Sequence, residues 1–592
     1  MNLRLTLIFT LFGSGLFAQD PDIQLPRNLT QAEIWQLPFE QIAPPSANVI
    51  TAPPALPVRT MAEWEELQAL VITWRSQPAI LTEIVRAARK ECNVIICCND
   101  QSTVNSATNA LTNAGVDLSS NVEIIVIPNN SIWVRDYGPN CVYANDVDSL
   151  YIIDWIYNRP SRPLDNTLPE KIAQHLNVPI YGTAAAPYEM VHTGGNFMTD
   201  GMGTAFSSKL ILQENLPNNP YGTSGQTAGQ IEDIMQNFMG INRYIRMETL
   251  PYDEIHHIDM HMKLIDEETL LVGQYPAGTA DGPQIEANLQ YVLSNYNSTF
   301  GTPYKVVRIL QPPDGANDYP DNGGDYRTYA NAVFVNKTVI LPFYEAEFDT
   351  TAQRIWEEAL PGYNIVGINC NAIIPSLGAI HCITKEIGVA DPLRIIHREL
   401  DCVDNLFSPV YPVYATLQHR SGIAFARVYY TTDLTASDWQ SVDMQLVTGD
   451  TANVWLGEIP QQAVNSTVYY YIEAHAVSGK TAVRPMPAPE GWWSFCVTET
   501  IAAKEPDNAE MLDIYPNPAA SITCIPVNAT EKTRGSIRMF NAFGQELATV
   551  FEGDFPAGNS NYFIDAARYV SGTYFIELQT SGRTMLKKLV VR

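Results

Sequence analysis

Cysteine is scarce in this sequence, and the cysteines that are present follow no regular spacing. There are nine in 592 residues, which is too few and too irregular for a disulfide scaffold. No Cys-x-x-Cys pair meets a second, suitably spaced pair, and this argues against a zinc site. The odd number leaves at least one thiol free. Cys402 and Cys496 flank a β-rich stretch, and a disulfide between them would join its two ends.

Basic residues are also few. The 36 Lys and Arg residues are outnumbered by 64 Asp and Glu residues, which gives a formal net charge of −28. This charge argues against binding to nucleic acid or to anionic membrane surfaces. It favours cationic peptides as partners, although an acidic surface also serves solubility alone. No run beyond the N-terminus reaches the roughly 18 consecutive apolar residues of a membrane span, so we expect no transmembrane segment.

The first residues have the composition of an export signal. Arg4 lies in the basic start, an apolar stretch runs from Leu5 to Phe12, and Ala18 precedes the expected cleavage point. We therefore expect a signal peptide at residues 1–18, followed by a pro-segment or linker at 19–58.

Five short motifs between residues 133 and 384 carry the residue types that guanidinium chemistry needs. A guanidinium ion is planar and positively charged, and two carboxylates can hold it from the side. Asp136 and Asp259 are the candidate pair. A thiolate can attack the guanidinium carbon, and an imidazole can protonate the departing ammonia and then activate water. Cys382 and His257 fit these roles. The motifs are Trp133-x-Arg135-Asp136-Tyr137-Gly138-Pro139, Gly194-Gly195-Asn196, His257-x-Asp259, Tyr329-x-Asn331 and Gly378-Ala379-Ile380-His381-Cys382-Ile383-Thr384.

The choice of imidazole depends on local geometry. In an extended segment side chains alternate between faces, so His257 and Asp259 would project to one side. By the same rule His381 would point away from Cys382. A turn at residues 378–382 would remove that argument, so other histidines stay open as alternatives. They are His381, His256, His261 and His192.

The order and spacing of the motifs over residues 60–390 resemble the agmatine deiminase and bacterial peptidylarginine deiminase family. The resemblance implies an α/β fold, the five-bladed α/β propeller called a pentein, for residues 59–400. It also implies a hydrolase that needs neither metal nor organic cofactor. It makes Cys382 the nucleophile, His257 the acid/base, Asp136 and Asp259 the guanidinium ligands, Asn331 a pocket polar group, and Trp133 and Tyr329 parts of the substrate pocket. One departure is Ser376-Leu377-Gly378-Ala379, where small-molecule members have a run of glycines.

Two arginines bear on the choice of substrate. Agmatine carries a second cation, whereas a peptide ending in arginine carries a carboxylate, which an arginine side chain binds through two parallel hydrogen bonds. Arg159 and Arg162 resemble the closely spaced arginines of the bacterial peptidylarginine deiminases, with one extra residue between them. The alternative is that they balance Asp154 or Asp165 at the surface, where ion pairs are common and weak.

The C-terminal third changes character. After about residue 400 short β-rich segments replace the alternating strands and helices, and this pattern predicts an all-β immunoglobulin-like sandwich at 401–500. A polar linker follows at 501–510. Residues 511–592 resemble the C-terminal sorting domain of type IX secretion substrates, through Ile514-Tyr515-Pro516-Asn517-Pro518, Ser571-Gly572-Thr573-Tyr574-Phe575 and the basic apolar ending Lys587-Lys588-Leu589-Val590-Val591-Arg592. The resemblance implies contact with that secretion machinery and a place outside the cell or on the outer-membrane surface.

Three functions stay open at this point. The first is deimination of arginine in peptides or proteins, with C-terminal arginine preferred. The second is deimination of agmatine, as in putrescine biosynthesis, or of free arginine. The third is a non-catalytic surface adhesin that uses the same fold for binding.

Overall fold

The computed structural model of the protein describes residues 25–37, 46–405, 409–436, 439–449, 453–498, 509–542, 545–580 and 584–592. The expected signal peptide at 1–18 lies outside these ranges. So does most of the expected linker at 501–510, although Ala509 and Glu510 already belong to the strand Ala509–Met511.

Residues 25–396 combine helices with short strands. The helices are α1 (Gln31–Gln36), α2 (Pro78–Ala88), α3 (Gln101–Asn113), α4 (Val134–Tyr137), α5 (Leu168–Leu176), α6 (Leu210–Glu214), α7 (Ala228–Met239), α8 (Gly282–Asn295) and α9 (Ala346–Ala359). The strands up to residue 388 are β1 (Val58–Thr60), β2 (Leu67–Thr73), β3 (Asn93–Cys98), β4 (Val122–Val126), β5 (Asn140–Ala144), β6 (Leu150–Asp154), β7 (Ile180–Gly182), β8 (Met198–Thr199), β9 (Thr204–Ser208), β10 (Arg243–Met247), β11 (Met262–Leu264), β12 (Thr269–Gln274), β13 (Lys305–Leu310), β14 (Val333–Val335), β15 (Thr338–Phe343), β16 (Asn364–Asn369) and β17 (Lys385–Gly388).

These strands form small sheets built on one repeated plan. The sheets have the orders β1-β5-β6-β7, β10-β9-β8, β11-β12-β13, β14-β15-β16 and β17-β2-β3-β4. In each, an antiparallel pair is joined to a parallel neighbour, for example β14 with β15 and β15 with β16. A parallel pair needs a crossover between its strands, and α2, α5, α7, α8 and α9 lie in those crossovers. The chain is therefore a mixed α/β fold here, as the sequence predicts.

Several of these elements coincide with apolar runs in the sequence. The apolar run at 93–98 forms β3, and the apolar runs within 332–343, with Asn336 and Lys337 between them, form the pair β14 and β15. Helix α3 spans Gln101–Asn113, and the side chain of Asp100, its N-cap, accepts a hydrogen bond from the Thr103 amide at 2.8 Å. Most of the buried apolar side chains of this region share one core, and a second cluster includes Ile231, Met235 and Phe238 of α7.

Short turns at the start of the sheets carry the predicted site motifs. Helix α4 precedes β5, and one-turn 3-10 helices at Gly194–Asn196, Ile258–Met260 and His381–Ile383 precede β8, β11 and β17. The segment 329–332 likewise precedes β14. Each sheet therefore presents one motif at the same point of the repeated plan, and this brings side chains from distant parts of the sequence together.

The C-terminal part is all-β, as predicted. Its first strands are β18 (Arg394–Ile396), β19 (Val403–Asp404), β20 (Val410–Gln418), β21 (Ile423–Thr431), β22 (Gln440–Asp443), β23 (Gln445–Leu446), β24 (Val454–Pro460), β25 (Thr467–Ala476), β26 (Thr481–Arg484) and β27 (Trp493–Thr498). They form two sheets, β18-β20-β24-β23 and β19-β27-β25-β21-β22, the second with β26 paired beside β25, and the two share a separate core. A disulfide joins Cys402 to Cys496 and confirms the predicted link between the ends of this region.

The last strands pack partly on the α/β region. They are β28 (Ala509–Met511), β29 (Ile522–Ala529), β30 (Thr533–Asn541), β31 (Glu546–Phe555), β32 (Gly558–Asp565), β33 (Gly572–Thr580) and β34 (Thr584–Val591). Tyr515, Cys524 and Phe563 join the core of the α/β region, and Asn561 Nδ2 donates to the Arg308 carbonyl at 3.0 Å. Within the described ranges, no helix has both the length and the apolar character to cross a membrane.

Candidate functional site

An arginine that sequence analysis did not single out occupies the centre of the site. The guanidinium of Arg27 lies between the two predicted carboxylates. Its Nε and Nη2 donate to the two oxygens of Asp136 at 2.9 and 2.8 Å. Its Nη1 and Nη2 donate to the two oxygens of Asp259 at 3.1 Å each, and Nη1 lies 2.7 Å from Cys382 Sγ. Arg27 is fully buried. An arginine of the chain itself therefore fills the place that the motifs provide for a guanidinium.

Asn331, in the segment before β14, contacts the cysteine and the turn that bears it. Its Nδ2 lies 3.2 Å from Cys382 Sγ and also donates to the Asp259 carbonyl at 3.2 Å. Its Oδ1 accepts from the His381 amide at 3.1 Å. One side chain thus links the turn bearing Cys382 to the turn bearing Asp259, as a pocket polar group should.

His257 lies beside the guanidinium site and is completely buried. Its Nδ1 is 3.5 Å from Asp136 Oδ1, and its Nε2 is 3.0 Å from Thr193 Oγ1. Gly195 permits this approach: a Cβ there would lie 1.7 Å from Arg27 Nη2 and 2.7 Å from His257 Nδ1. A glycine is therefore required wherever a guanidinium occupies this place.

The backbone is turned rather than extended at two of the motifs. His257 is extended, but Ile258–Met260 forms a 3-10 turn rather than a strand, and His381–Ile383 is also a 3-10 turn. Because of that turn His381 does not point away from the site. Its Nδ1 is 2.8 Å from Asp259 Oδ2, and its Nε2 is 2.9 Å from Glu63 Oε1. Sequence reasoning missed Glu63 as a site residue, although it lies in the motif Met61-Ala62-Glu63-Trp64-Glu65.

The other candidate histidines lie in different surroundings. His192 faces Tyr244, with its Nε2 3.1 Å from the hydroxyl, and burial lowers its pKa to about 3. Burial also lowers the pKa of His261, to about 4. The backbone carbonyl of His256 accepts from the Ser208 hydroxyl. His257 and His381 are therefore the two imidazoles in contact with the carboxylate pair.

Burial and the bound cation act against each other at the site. Burial raises the pKa of Asp136 and of Asp259, but the Arg27 cation offsets this and holds both pKa values below the usual range of a carboxyl. Burial and then Arg27 lower the pKa of His257. Burial raises the pKa of the Cys382 thiol, Arg27 lowers it, and the two carboxylates raise it again, so that it stays above its usual value. A cation in this place is thus what favours the thiolate.

The backbone around Arg27 is also bound. The Arg27 amide donates to the Ser376 carbonyl at 2.9 Å. Trp133 Nε1 donates to the Leu25 carbonyl at 2.9 Å. Arg159 donates to the Arg27 carbonyl through Nε at 3.2 Å and Nη2 at 3.0 Å. The pocket therefore holds a peptide backbone as well as a guanidinium.

Arg162 extends this contact along the chain. It donates to the Asn28 carbonyl at 3.1 Å and to both carboxylate oxygens of Glu33 at 2.8 and 3.0 Å. Both Arg159 and Arg162 are buried, so the alternative that they are surface residues is wrong. Tyr329, which is predicted to be part of the substrate pocket, donates its hydroxyl to Asp349 at 2.7 Å, and its carbonyl accepts from Trp356. Those polar groups hold helix α9 in place.

The segment Ser376-Leu377-Gly378-Ala379, which replaces a run of glycines, has a strained backbone beside the cysteine. Leu377 has φ of 65°, a left-handed conformation that costs a bulky residue free energy and that glycine adopts freely. Position 378 is a glycine, and a Cβ there would lie 2.5 Å from the Trp133 ring and 3.0 Å from Cys382 Sγ. The tight turn is therefore formed without a full run of glycines.

Comparison with known proteins gives two family matches. Residues 59–387 match the family model described as Porphyromonas-type peptidyl-arginine deiminase, and residues 513–592 match the secretion system C-terminal sorting domain. Two relatives named "Putative agmatine deiminase" are similar. That of Mycoplasma mycoides is 26% identical over 296 residues (45% of this chain, 78% of the relative), and that of Legionella pneumophila is 28% identical over 273 residues (45% and 75%). A solved agmatine deiminase of Enterococcus faecalis aligns with a TM-score of 0.49 at 20% identity, covering 58% of this chain and 99% of that one.

A cysteine beside a guanidinium that two carboxylates hold defines the deiminases, hydrolases that act on the C–N bonds of linear amidines. The chain belongs to the Porphyromonas-type peptidyl-arginine deiminase family, whose model covers more than half of it. Its C-terminal residues belong to a type IX secretion sorting domain, which indicates secretion or a place at the cell surface.

Proposed function

We propose that this protein is an exported peptidylarginine deiminase that converts arginine in peptides to citrulline and ammonia. The observation that supports this most is the pair of hydrogen bonds from Arg159 to the Arg27 carbonyl. They join the pocket to the backbone of the bound arginine, a group that agmatine lacks. The ammonium of agmatine would instead meet a buried cation, which is unfavourable.

The reaction uses the residues around the guanidinium in sequence. Asp136 and Asp259 hold the substrate cation, and that cation lowers the pKa of the Cys382 thiol. The thiol proton passes to His257 as the thiolate bonds to the guanidinium carbon, and one C–N bond breaks as His257 passes that proton to the departing ammonia. Water then gives a proton to His257 and attacks the same carbon. The C–S bond breaks, the thiolate returns, and a ureido group remains. No metal or organic cofactor takes part in this scheme.

Arginine at a peptide C-terminus is the preferred substrate in this proposal. Arg162 is bound to a carboxylate, that of Glu33, in a fully buried two-point pair. A substrate α-carboxylate can replace it and lie between Arg162 and Arg159, where it gains charge-assisted hydrogen bonds that a neutral carbonyl does not. An internal arginine gains only the carbonyl contacts that Arg27 makes.

The remaining domains fit an exported enzyme. We propose that the repeated sheets of residues 59–400 form a five-bladed propeller and that 401–500 form an immunoglobulin-like sandwich. We further propose that residues 1–18 are a signal peptide and that the type IX machinery recognises residues 511–592. The propeller places the site motifs, one for each sheet, around a single central pocket.

The test is ureido formation by the purified protein and by Cys382→Ala. The substrates are a peptide ending in arginine, the same peptide with arginine internal, and agmatine. Turnover of the peptides but not of agmatine, lost in Cys382→Ala, is the expected result. Turnover of agmatine alone would make the protein a small-amine deiminase, and the curated relatives named as agmatine deiminases make this the second candidate. No turnover of any substrate would favour an adhesin.

A further inference from the structure

The N-terminal segment 25–37 is bound to the site along its length. From its first described residue to its helix it makes contacts that a substrate peptide would make. Leu25, Arg27 and Asn28 are held through their backbone by Trp133, Ser376, Arg159 and Arg162. Arg27 fills the guanidinium site with no exposed surface. Any substrate arginine must therefore displace this segment.

Helix α1 is fastened to the same pocket by a single carboxylate. Glu33 completes a capping box with Thr30, whose side chain accepts from the Glu33 amide. Its carboxylate accepts from Arg162 and from Ser161 Oγ, the latter at 2.7 Å. Burial would raise the pKa of Glu33, but Arg162 lowers it to about 2, so it is charged at neutral pH. On the same helix, the side chain of Trp35 is 72% exposed.

We propose that residues 25–37 are an intramolecular inhibitor, a tethered arginine peptide that occupies the substrate site and keeps the enzyme latent until the segment is displaced or cut away. This inference rests on the proposed function, because it assigns a regulatory role to the same pocket. It explains why Arg27 meets both carboxylates and the thiol at once: the segment competes as a substrate peptide does.

Tethering makes such competition effective. A peptide joined to its own binding site acts at an effective concentration of the order of millimolar. Free substrates at lower concentrations bind poorly against it. Cutting the chain behind the segment ends the effect, since the released peptide is diluted into the medium. Residues 46–48 are exposed and lie between the segment and the α/β region, so a cut there is possible without disturbing the core.

The decisive readout is the accessibility of Cys382 in the full chain, because it does not depend on turnover. Iodoacetamide labelling at Cys382, located by peptide mass spectrometry, should be at least tenfold slower in the unmodified protein than in Arg27→Ala. Glu33→Gln should fall between the two. Trp35→Ala, which removes an exposed side chain of the same helix, serves as the matched control and should label like the unmodified protein. Equal labelling of the unmodified protein and Arg27→Ala would overturn the proposal.

Kinetics and mass mapping complete the test. Arg27→Ala should lower the apparent KM for an arginine peptide at least tenfold with kcat unchanged, and so should cleavage at a protease site inserted before Ser46. Residue 27 should remain arginine in the unmodified protein. Citrulline at that position would make the segment a substrate and would refute its role as an inhibitor. Rapid labelling of Arg27→Ala without turnover of any substrate would support the blocking of the site by this segment and would refute the proposed function instead.

Discussion

Gly195 and Arg27 approach so closely that no side chain fits between them: a Cβ on Gly195 would lie 1.7 Å from Arg27 Nη2. The Gly195 amide also donates to Asp136 Oδ1 at 3.2 Å. This residue therefore lines the guanidinium site with backbone alone, and the same space must receive a substrate guanidinium.

Gly195→Ala should consequently lose activity while remaining folded. The added methyl group would displace the guanidinium, and a misplacement of about 1 Å costs roughly 100-fold in rate. We expect kcat/KM for an arginine peptide to fall by about that factor or more. Gly229→Ala is the control, because a Cβ there meets nothing within 4 Å. Circular dichroism should show a native fold in both variants, and full activity of Gly195→Ala would contradict the geometry.

The two imidazoles at the site should respond differently to removal. His257→Ala removes the proposed acid/base and should lower kcat by about 10² to 10⁴. His381→Ala removes a partner of Asp259, so it should mainly weaken guanidinium binding and raise KM, with a smaller effect on kcat. Steady-state kinetics on one arginine peptide, in an Arg27→Ala background, separates these outcomes. A larger loss of kcat in His381→Ala than in His257→Ala would instead make His381 the acid/base.

Much of this site follows from the sequence, but its occupant does not. The cysteine, the carboxylates and Asn331 lie in short motifs, and their residue types predict a nucleophile beside a guanidinium site. Arg27 stands alone in an undistinguished stretch, and its contacts with Asp136, Asp259 and Cys382 span 109, 232 and 355 residues. No local pattern carries that information. The orientation of His381 stayed open for another reason, because a strand and a 3-10 turn orient neighbouring side chains differently.

The fold, like the site, follows from the sequence only in part. Apolar runs in the sequence coincide with β3 and with the pair β14 and β15 almost to the residue. The order of strands within each sheet, and the way the turns before β5, β8, β11, β14 and β17 meet at one place, depend on long-range pairing that periodicity does not report.

The rate should depend on pH in a way that reveals activation by the substrate. A bound guanidinium lowers the pKa of the Cys382 thiol, whereas Asp136 and Asp259 without a cation raise it. The rising limb of kcat, which reports the complex, should therefore have its midpoint at lower pH than that of kcat/KM, which reports the free enzyme. The measurement uses Arg27→Ala so that the free site is empty of the chain's own arginine. Coincident midpoints, or the reverse order, would argue against substrate-assisted activation.

The Cys402–Cys496 disulfide should stabilise the all-β region without affecting catalysis. It closes a loop with a sequence separation of 94 residues, and loss of such a bridge costs about 2–5 kcal/mol in free energy of unfolding. Cys402→Ser with Cys496→Ser should therefore unfold at lower denaturant concentration, with kcat unchanged. Reductant should destabilise the unmodified protein but not the double variant. Equal denaturation midpoints would show that the bridge adds nothing to stability.

The most direct measurement of peptide specificity is the ratio of kcat/KM for a peptide ending in arginine to that for agmatine, determined for Arg27→Ala alone and for Arg27→Ala with Arg159→Ala. Hydrogen bonds from a charged donor contribute about 1.5–3 kcal/mol, or roughly 10- to 100-fold. We predict that removing Arg159 lowers kcat/KM for the peptide by about this factor and leaves agmatine no worse a substrate. An equal loss for both substrates, or no loss for the peptide, would contradict recognition of a peptide backbone by Arg159.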